Sequence, residues 1–424
     1  MGSPALELPQ RDRTIGYDFQ VVTPKKDTAE MQQGFLTSVL AEVFMTYKEE
    51  IVRHGMEWGP DSFPFRELAF ALVFIASGRA KFHSFPAQIC NPRSCVWFGC
   101  PSKHLSTSSP EWLDKEWAGH DAPPLPTFGS LSHLPGNRSG ASPAETIYWL
   151  EDVLVSLTLV VDGKAITDAV AWGIERRRRT PFQVVVLSLF EVSFAEVCYH
   201  GGDDDDDDEE PFLRVSKRMY LSPLRGHYCV STHPRERPER KPGMRIQKQR
   251  GELAMIMGNC TGTARRLQHW FPGLASLVSF FDAAAGRRAA SKHPGRLPME
   301  LFYLILDLID YETWKTCLVV SREFRSYCLT KYRLDDRMSI VAGPFARLGR
   351  RRHKEKMLSF DFKDAQTGAS FPAVRTTRVS TTKECNWMPV IGSDRKVVML
   401  DTVVQFEPAG DVPVEADSDD EKQA

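Results

Sequence analysis

Residues 296–327 read Arg-Leu-Pro-Met-Glu-Leu-Phe-Tyr-Leu-Ile-Leu-Asp-Leu-Ile-Asp-Tyr-Glu-Thr-Trp-Lys-Thr-Cys-Leu-Val-Val-Ser-Arg-Glu-Phe-Arg-Ser-Tyr. Pro298 sets the backbone angle of a first helical turn. Leu301, Leu304, Ile305 and Leu308 then recur at intervals of three and four, which lines them up as one apolar stripe on a helix. Asp310 is placed to cap a second short helix carrying Trp314, Cys317 and Leu318. Ser321 is placed to cap a third, carrying Phe324 and Tyr327. The spacing predicts three short helices within about 35 residues.

Such a unit carries more apolar surface than it can hide. Phe302, Tyr303 and Ile309 lie off the main stripe and widen it. Helical modules below ~40 residues rarely bury enough surface to stand alone. The face therefore needs a cover, from the rest of this chain or from another protein. Covering about six such side chains is worth roughly 10 kcal/mol gross, before the costs of association.

The segment resembles an F-box. Leu297, Pro298, Glu300, Leu301, Ile305, Leu306, Leu308, Cys317, Val320, Ser321, Arg322 and Phe324 follow that family's pattern without a gap, over about a tenth of the chain. The resemblance implies a three-helix module that docks on the Skp adaptor of a cullin–RING (SCF-type) ubiquitin ligase. It nominates Leu297, Pro298, Leu301, Ile305, Leu308, Leu318, Val320 and Phe324 as adaptor contacts. It also implies a chain that performs no chemistry and presents a target protein for ubiquitination, with neither cofactor nor metal. No leucine-rich or WD-type repeat of the kind that usually reads the target is recognisable, so the substrate protein is unknown.

Outward from this segment, the chain reads as α+β: a mixed helix–sheet body, the three-helix module and a small β-rich C-terminal part. Residues 1–27 form a loose tail, and the body spans 28–285. Within it, Phe35, Val39, Val43 and Tyr47 mark a helix from about Thr28 to Gly55. Phe65 to Ala76 mark a buried helix stopped by Ser77-Gly78. Residues 101–143 are rich in Pro, Ser and Gly and read as a loop insertion. Ser142, Pro143 and Glu145 suggest a capping box opening a helix through Leu157. A further helix is expected over about Ile166 to Arg177. Gln183 to Val197 reads as one strand, apolar on both faces at Val184 to Leu187, with Phe212 to Leu221 as its hairpin partner. An acidic run and then a proline-rich basic stretch fill 201–250 as loops, and helix resumes from Glu252, broken at Gly258 and Pro272, to about Ala285. After the module at 296–335, β-type patterns occupy 340–410, including 357–362 and 396–406. Residues 411–424 form an acidic disordered tail.

The 54 basic and 55 acidic side chains leave a net charge of -1, which excludes a wholly basic nucleic-acid protein. The longest apolar run, Leu68 to Ala76, is too short for a membrane span. The first residues carry no apolar signal core, and the nine cysteines read as free thiols in a cytoplasmic or nuclear setting. Cys90, Cys95, Cys100 and His104 are enough ligands for zinc but are spaced more widely than the usual C-x2-C knuckle, so thiols are the preferred reading. Arg176 to Arg179 reads as a solvated helix end without interleaved aromatics. Glu191 and Glu196 are five apart on a strand and face opposite sides. No nucleophile elbow, phosphate loop, dinucleotide fingerprint or zinc-protease motif occurs. The alternative function is a nucleic-acid-associated or structural scaffold that uses the helical hairpin internally. It predicts a stripe covered by the chain itself, whereas the recruiting role predicts a bare one.

Overall fold

The computed structural model describes residues 18–22, 31–46, 51, 54–55, 58–86, 142–177, 180–199, 211–221, 271–289, 298–336, 338–343, 360–365, 368, 370–371, 385–393, 396–399 and 404–406. In chain order the first elements are β1 (Asp18–Val22), α1 (Met31–Thr46), α2 (Phe63–Ala76), β2 (Lys81–Pro86), β3 (Ile147–Leu150), β4 (Val153–Leu157) and α3 (Gly163–Arg177). Then follow β5 (Phe182–Leu187), β6 (Glu191–Cys198), β7 (Phe212–Ser216), β8 (Met219–Tyr220), α4 (Pro272–Arg288) and the helices α5 (Met299–Leu308), α6 (Tyr311–Cys317) and α7 (Arg322–Thr330). The chain closes with β9 (Tyr332–Arg333), β10 (Met338–Ala342), β11 (Asp361–Asp364), β12 (Ser370–Phe371), β13 (Cys385–Ser393), β14 (Lys396–Met399) and β15 (Val404–Phe406).

A mixed seven-stranded sheet in the order β1-β7-β6-β5-β4-β3, with β8 beside β6, divides the core in two. Strands β4 and β5 are parallel, so the chain must cross over between them, and α3 is that crossover. Asp162 caps α3 by accepting from the Ala165 N–H at 2.9 Å. The α3 side holds Leu154, Val161, Ile166, Val170, Val184 and Val186, all buried. The opposite side holds Val185 and Leu187 among residues of α1, α2 and α4. Strand β5 is therefore covered on both faces, as its run of valines requires. Helix α2 explains why it needs no polar face: eleven of its fourteen residues are buried. It stops where expected, with Ser77 as C-cap and Gly78 at φ +73, a conformation that a glycine adopts without strain.

Two expectations are corrected. Residues 142–157 form no helix; Ile147–Leu150 and Val153–Leu157 are an antiparallel hairpin closed by Glu151-Asp152. The apparent capping box misled because Ser142 is buried and gives its N–H to Glu67 Oε2 at 3.0 Å, a tertiary bond rather than a cap. The β-branched residues of β3 and β4 then follow the pleat. Likewise Gln183 to Val197 is two antiparallel strands, not one. Ser188 turns the chain between them: its hydroxyl accepts from the N–H groups of Phe190 and Glu191 at 3.2 and 3.0 Å.

The strands expected at 340–410 are tied to earlier parts of the chain. β10 pairs with β9, immediately after α7, and β13 pairs over six positions with β2 from the first quarter. Of the 357–362 pattern only Asp361 and Phe362 lie in a strand, Asp361–Asp364, while Phe360 precedes it and 357–359 lie outside the described residues; the 396–406 pattern appears as two strands. The loose tail expected over 1–27 is corrected as well: Asp18–Val22 form β1, which pairs in parallel with β7 because that strand's open edge supplies the backbone partners. The expected insertion up to residue 141, the acidic and basic runs at 201–210 and 225–250, helix over 252–270 and the 411–424 tail lie outside the described residues.

Gly273, in the first turn of α4, fixes how closely that helix approaches β8. A Cβ there would sit 2.4 Å from the Tyr220 carbonyl oxygen, a backbone atom held in the sheet. Gly273→Ala is expected to lower unfolding free energy by about 1–3 kcal/mol. Gly286→Ala, where a Cβ meets nothing within 4 Å, is expected to raise it by about 0.5–1 kcal/mol. Urea titration of the two variants checks both signs.

Candidate partner-binding site

The three short helices form where the sequence places them, and their ends show why. The Asp310 carboxylate accepts from the Thr313 N–H at 2.9 Å and opens α6; its pKa is held below the usual carboxylate range by that bond and one from the Thr313 hydroxyl. The Ser321 hydroxyl accepts from the Phe324 N–H at 3.1 Å and opens α7. The end of α5 is closed from a distance: the Arg333 guanidinium donates to the carbonyls of Leu306, Asp307 and Ile309 at 3.0, 3.0 and 2.5 Å. Phe302 meets Phe324 at 5.1 Å and Tyr303 stacks on Tyr327 at 4.2 Å, which joins α5 to α7.

One side of this unit is buried in the main core. Leu306, Tyr311, Trp314 and Cys328 pack there with α1, β2 and the C-terminal strands. Trp314 meets the edge of Tyr332 at 5.6 Å, and Tyr332 lies 6.2 Å from Phe35 of α1. Arg325 of α7 forms an ion pair with Asp282 of α4, whose other oxygen accepts from Gln33 of α1 at 2.9 Å. Lys315 of α6 turns its amine to the Arg79 carbonyl, 3.4 Å from the Tyr311 hydroxyl. Burial pushes that amine down to about 7; Glu312 and Glu151 oppose the shift, while Arg79 and Lys81 assist it.

The other side is bare. Relative exposure is 46% at Leu301, 60% at Leu304, 46% at Ile305, 87% at Leu308 and 45% at Val320. With Trp58, these are all the exposed large hydrophobic residues among those described. Apolar residues scattered singly over a surface carry no message, but four on successive turns of one ten-residue helix do.

Of the nominated contacts, Leu301, Ile305 and Leu308 share that face, with Pro298 exposed at its start as the N-cap of α5. Val320 is exposed in the turn between α6 and α7. Leu318 and Phe324 are half-buried against the core. Leu297 lies outside the described residues. Leu304 belongs with the site on geometry, and its i+3 spacing from Leu301 was the available signal.

Other signals resolve differently. Cys90, Cys95, Cys100 and His104 lie outside the described residues, among which no three metal-ligating side chains are gathered. Arg176 stacks 3.6 Å over Trp172, one helical turn earlier on α3, and Arg177 lies 4.0 Å over Trp149, which folding brings from β3. Both cations are also held by acids, Arg176 by Glu175 and Arg177 by Asp152. Glu191 pairs with Arg218 at 3.5 Å and Glu196 with Arg287 at 2.8 Å, at separate places. No described helix is long and apolar enough to cross a membrane. No family model, curated protein or solved structure matches the chain.

Arg325→Met would leave the Asp282 carboxylate without its cation, and stability is expected to fall by about 2 kcal/mol. Adding Asp282→Asn should restore part of that loss, a non-additivity that a double-mutant cycle in denaturant measures directly.

Proposed function

We propose that this chain is a recruiting subunit. Its three-helix segment acts as an F-box and docks a Skp-type adaptor of a cullin–RING ubiquitin ligase. The contacts are Leu297, Pro298, Leu301, Ile305, Leu308, Leu318, Val320 and Phe324, with Leu304 among them on geometry. The remainder of the chain holds a target protein in the cytoplasm or nucleus, and ubiquitin transfer belongs to the ligase's other subunits.

The observation that carries this reading is the bare face of α5, opposite a face sealed into the core. Leaving a leucine such as Leu308 in water forgoes about 1.5–3 kcal/mol that burial returns. A scaffold using the hairpin internally would bury that stripe under its own helices. The described residues leave it open, which favours recruitment over that alternative.

The test is capture of purified Skp-type adaptor by the full chain. Leu304→Ala with Leu308→Glu should weaken capture at least about tenfold. Because both side chains are exposed, the same pair should shift unfolding free energy by no more than about 0.5 kcal/mol. Undiminished capture by the variant, or no capture by the folded parent, contradicts the proposal.

A further inference from the structure

Lys315 is the point where α6 meets the end of α2, and its surroundings are unusual for a lysine that joins two parts of a fold. Its amine is bonded to a neutral carbonyl, that of Arg79, and not to a carboxylate. The same amine stands 5.4 Å from the centre of the Tyr311 ring. Arg79 itself is anchored: its guanidinium pairs with Glu151 at 2.9 Å and lies 5.8 Å over Phe74, where α2 ends.

The charged groups facing Lys315 come from three places. Glu312 lies on its own helix, Arg79 and Lys81 on the segment from α2 into β2, and Glu151 in the β3–β4 turn. Both carboxylates already have cations. Glu312 pairs with Lys81, and Glu151 pairs with Arg79 and Arg288. Asp152 beside them pairs with Arg177 and Arg288. A charged Lys315 is therefore a cation in excess, next to Arg79 and Lys81 and partly removed from water. A neutral amine keeps the bond to the Arg79 carbonyl, because it still donates an N–H, and it lacks the repulsion.

We infer that Lys315 makes the seating of the three-helix segment on the body proton-dependent, tight when the amine is neutral and looser when it is charged. The sign follows from linkage. In the unfolded chain the amine binds its proton up to the ordinary lysine range of about 10.4, while in the folded chain it releases it near 7. Between those values the folded chain holds fewer protons, so stability rises with pH. The gain is complete above the ordinary lysine value and is lost as pH falls through about 7. The Arg325–Asp282 ion pair ties α7 to α4 at the other end of the seat, away from Lys315. The inference does not rest on adaptor binding, since it concerns the isolated chain.

Amide hydrogen exchange of α5, α6 and α7 in the full chain at about pH 6 and about pH 8.5, corrected for the intrinsic pH dependence of exchange, is the test. In the parent, protection is expected to be about thirtyfold greater at the higher pH, since about 1.5 pH units of coupled titration lie between a folded value near 7 and pH 8.5. Lys315→Met should remove that difference, and Lys315→Arg, charged throughout, should hold the segment in its looser condition at both values. An unchanged pH response in Lys315→Met overturns the inference, as does full protection of Lys315→Arg. Should Lys315→Met not fold, NMR titration of the Lys315 side chain in the parent decides: a midpoint near 7 supports the inference and a midpoint near 10 overturns it.

Discussion

Three helices of ten, seven and nine residues cannot enclose a core of their own, and the rest of the structure around them follows from that constraint. They obtain stability by giving one face to the main core, through Leu306, Tyr311, Trp314 and Cys328 against aromatic residues of α1 and β2. Phe35 is the meeting point, with Phe82 at 5.3 Å, Phe360 at 5.5 Å and Tyr332 at 6.2 Å. Once that face is committed, the helical twist leaves Leu301, Leu304, Ile305 and Leu308 pointing away from it. The bare stripe is thus a geometrical consequence of how the segment is seated.

The same aromatic centre explains why the ends of the chain are woven together. Phe82 lies on β2, which pairs with β13, and Phe360 directly precedes β11, which reaches the three helices through β10 and β9. A parallel strand pair joined through α3 and a sheet covered on both faces supply a rigid body behind this centre. The polar ties around it are few and buried or half-buried, so each matters more than a surface pair would. Asp282, Arg333 and Lys315 belong to this group, and each links the three helices to a neighbour or closes one of their ends.

Local chemistry was legible in the sequence wherever it decided the structure alone. Asp310 and Ser321 cap the helices they precede, Ser77-Gly78 stops α2, and the valines of β5 are covered on both sides. It was illegible wherever a distant partner intervened. Ser142 imitates a cap, yet its N–H goes to Glu67, 75 residues away. Ser188 turns the chain within what reads as one β-branched run, because a serine hydroxyl satisfying two backbone N–H groups leaves no periodic trace. Trp149 stands under Arg177 only after β3 and α3 are brought side by side. The site itself was largely readable because its stripe lies on a single helix. Which of its residues face inward, Leu318 and Phe324 among them, depended on the packing of α6 and α7.

The open face of α5 is the surface proposed to be covered by another protein. Calorimetric titration of the folded chain with purified Skp-type adaptor, repeated at several temperatures, tests this. Saturable one-to-one binding in the micromolar range or tighter is expected, with a negative heat-capacity change as the leucines leave water. Absence of binding heat at every temperature, or binding whose heat capacity is unaltered, would contradict it.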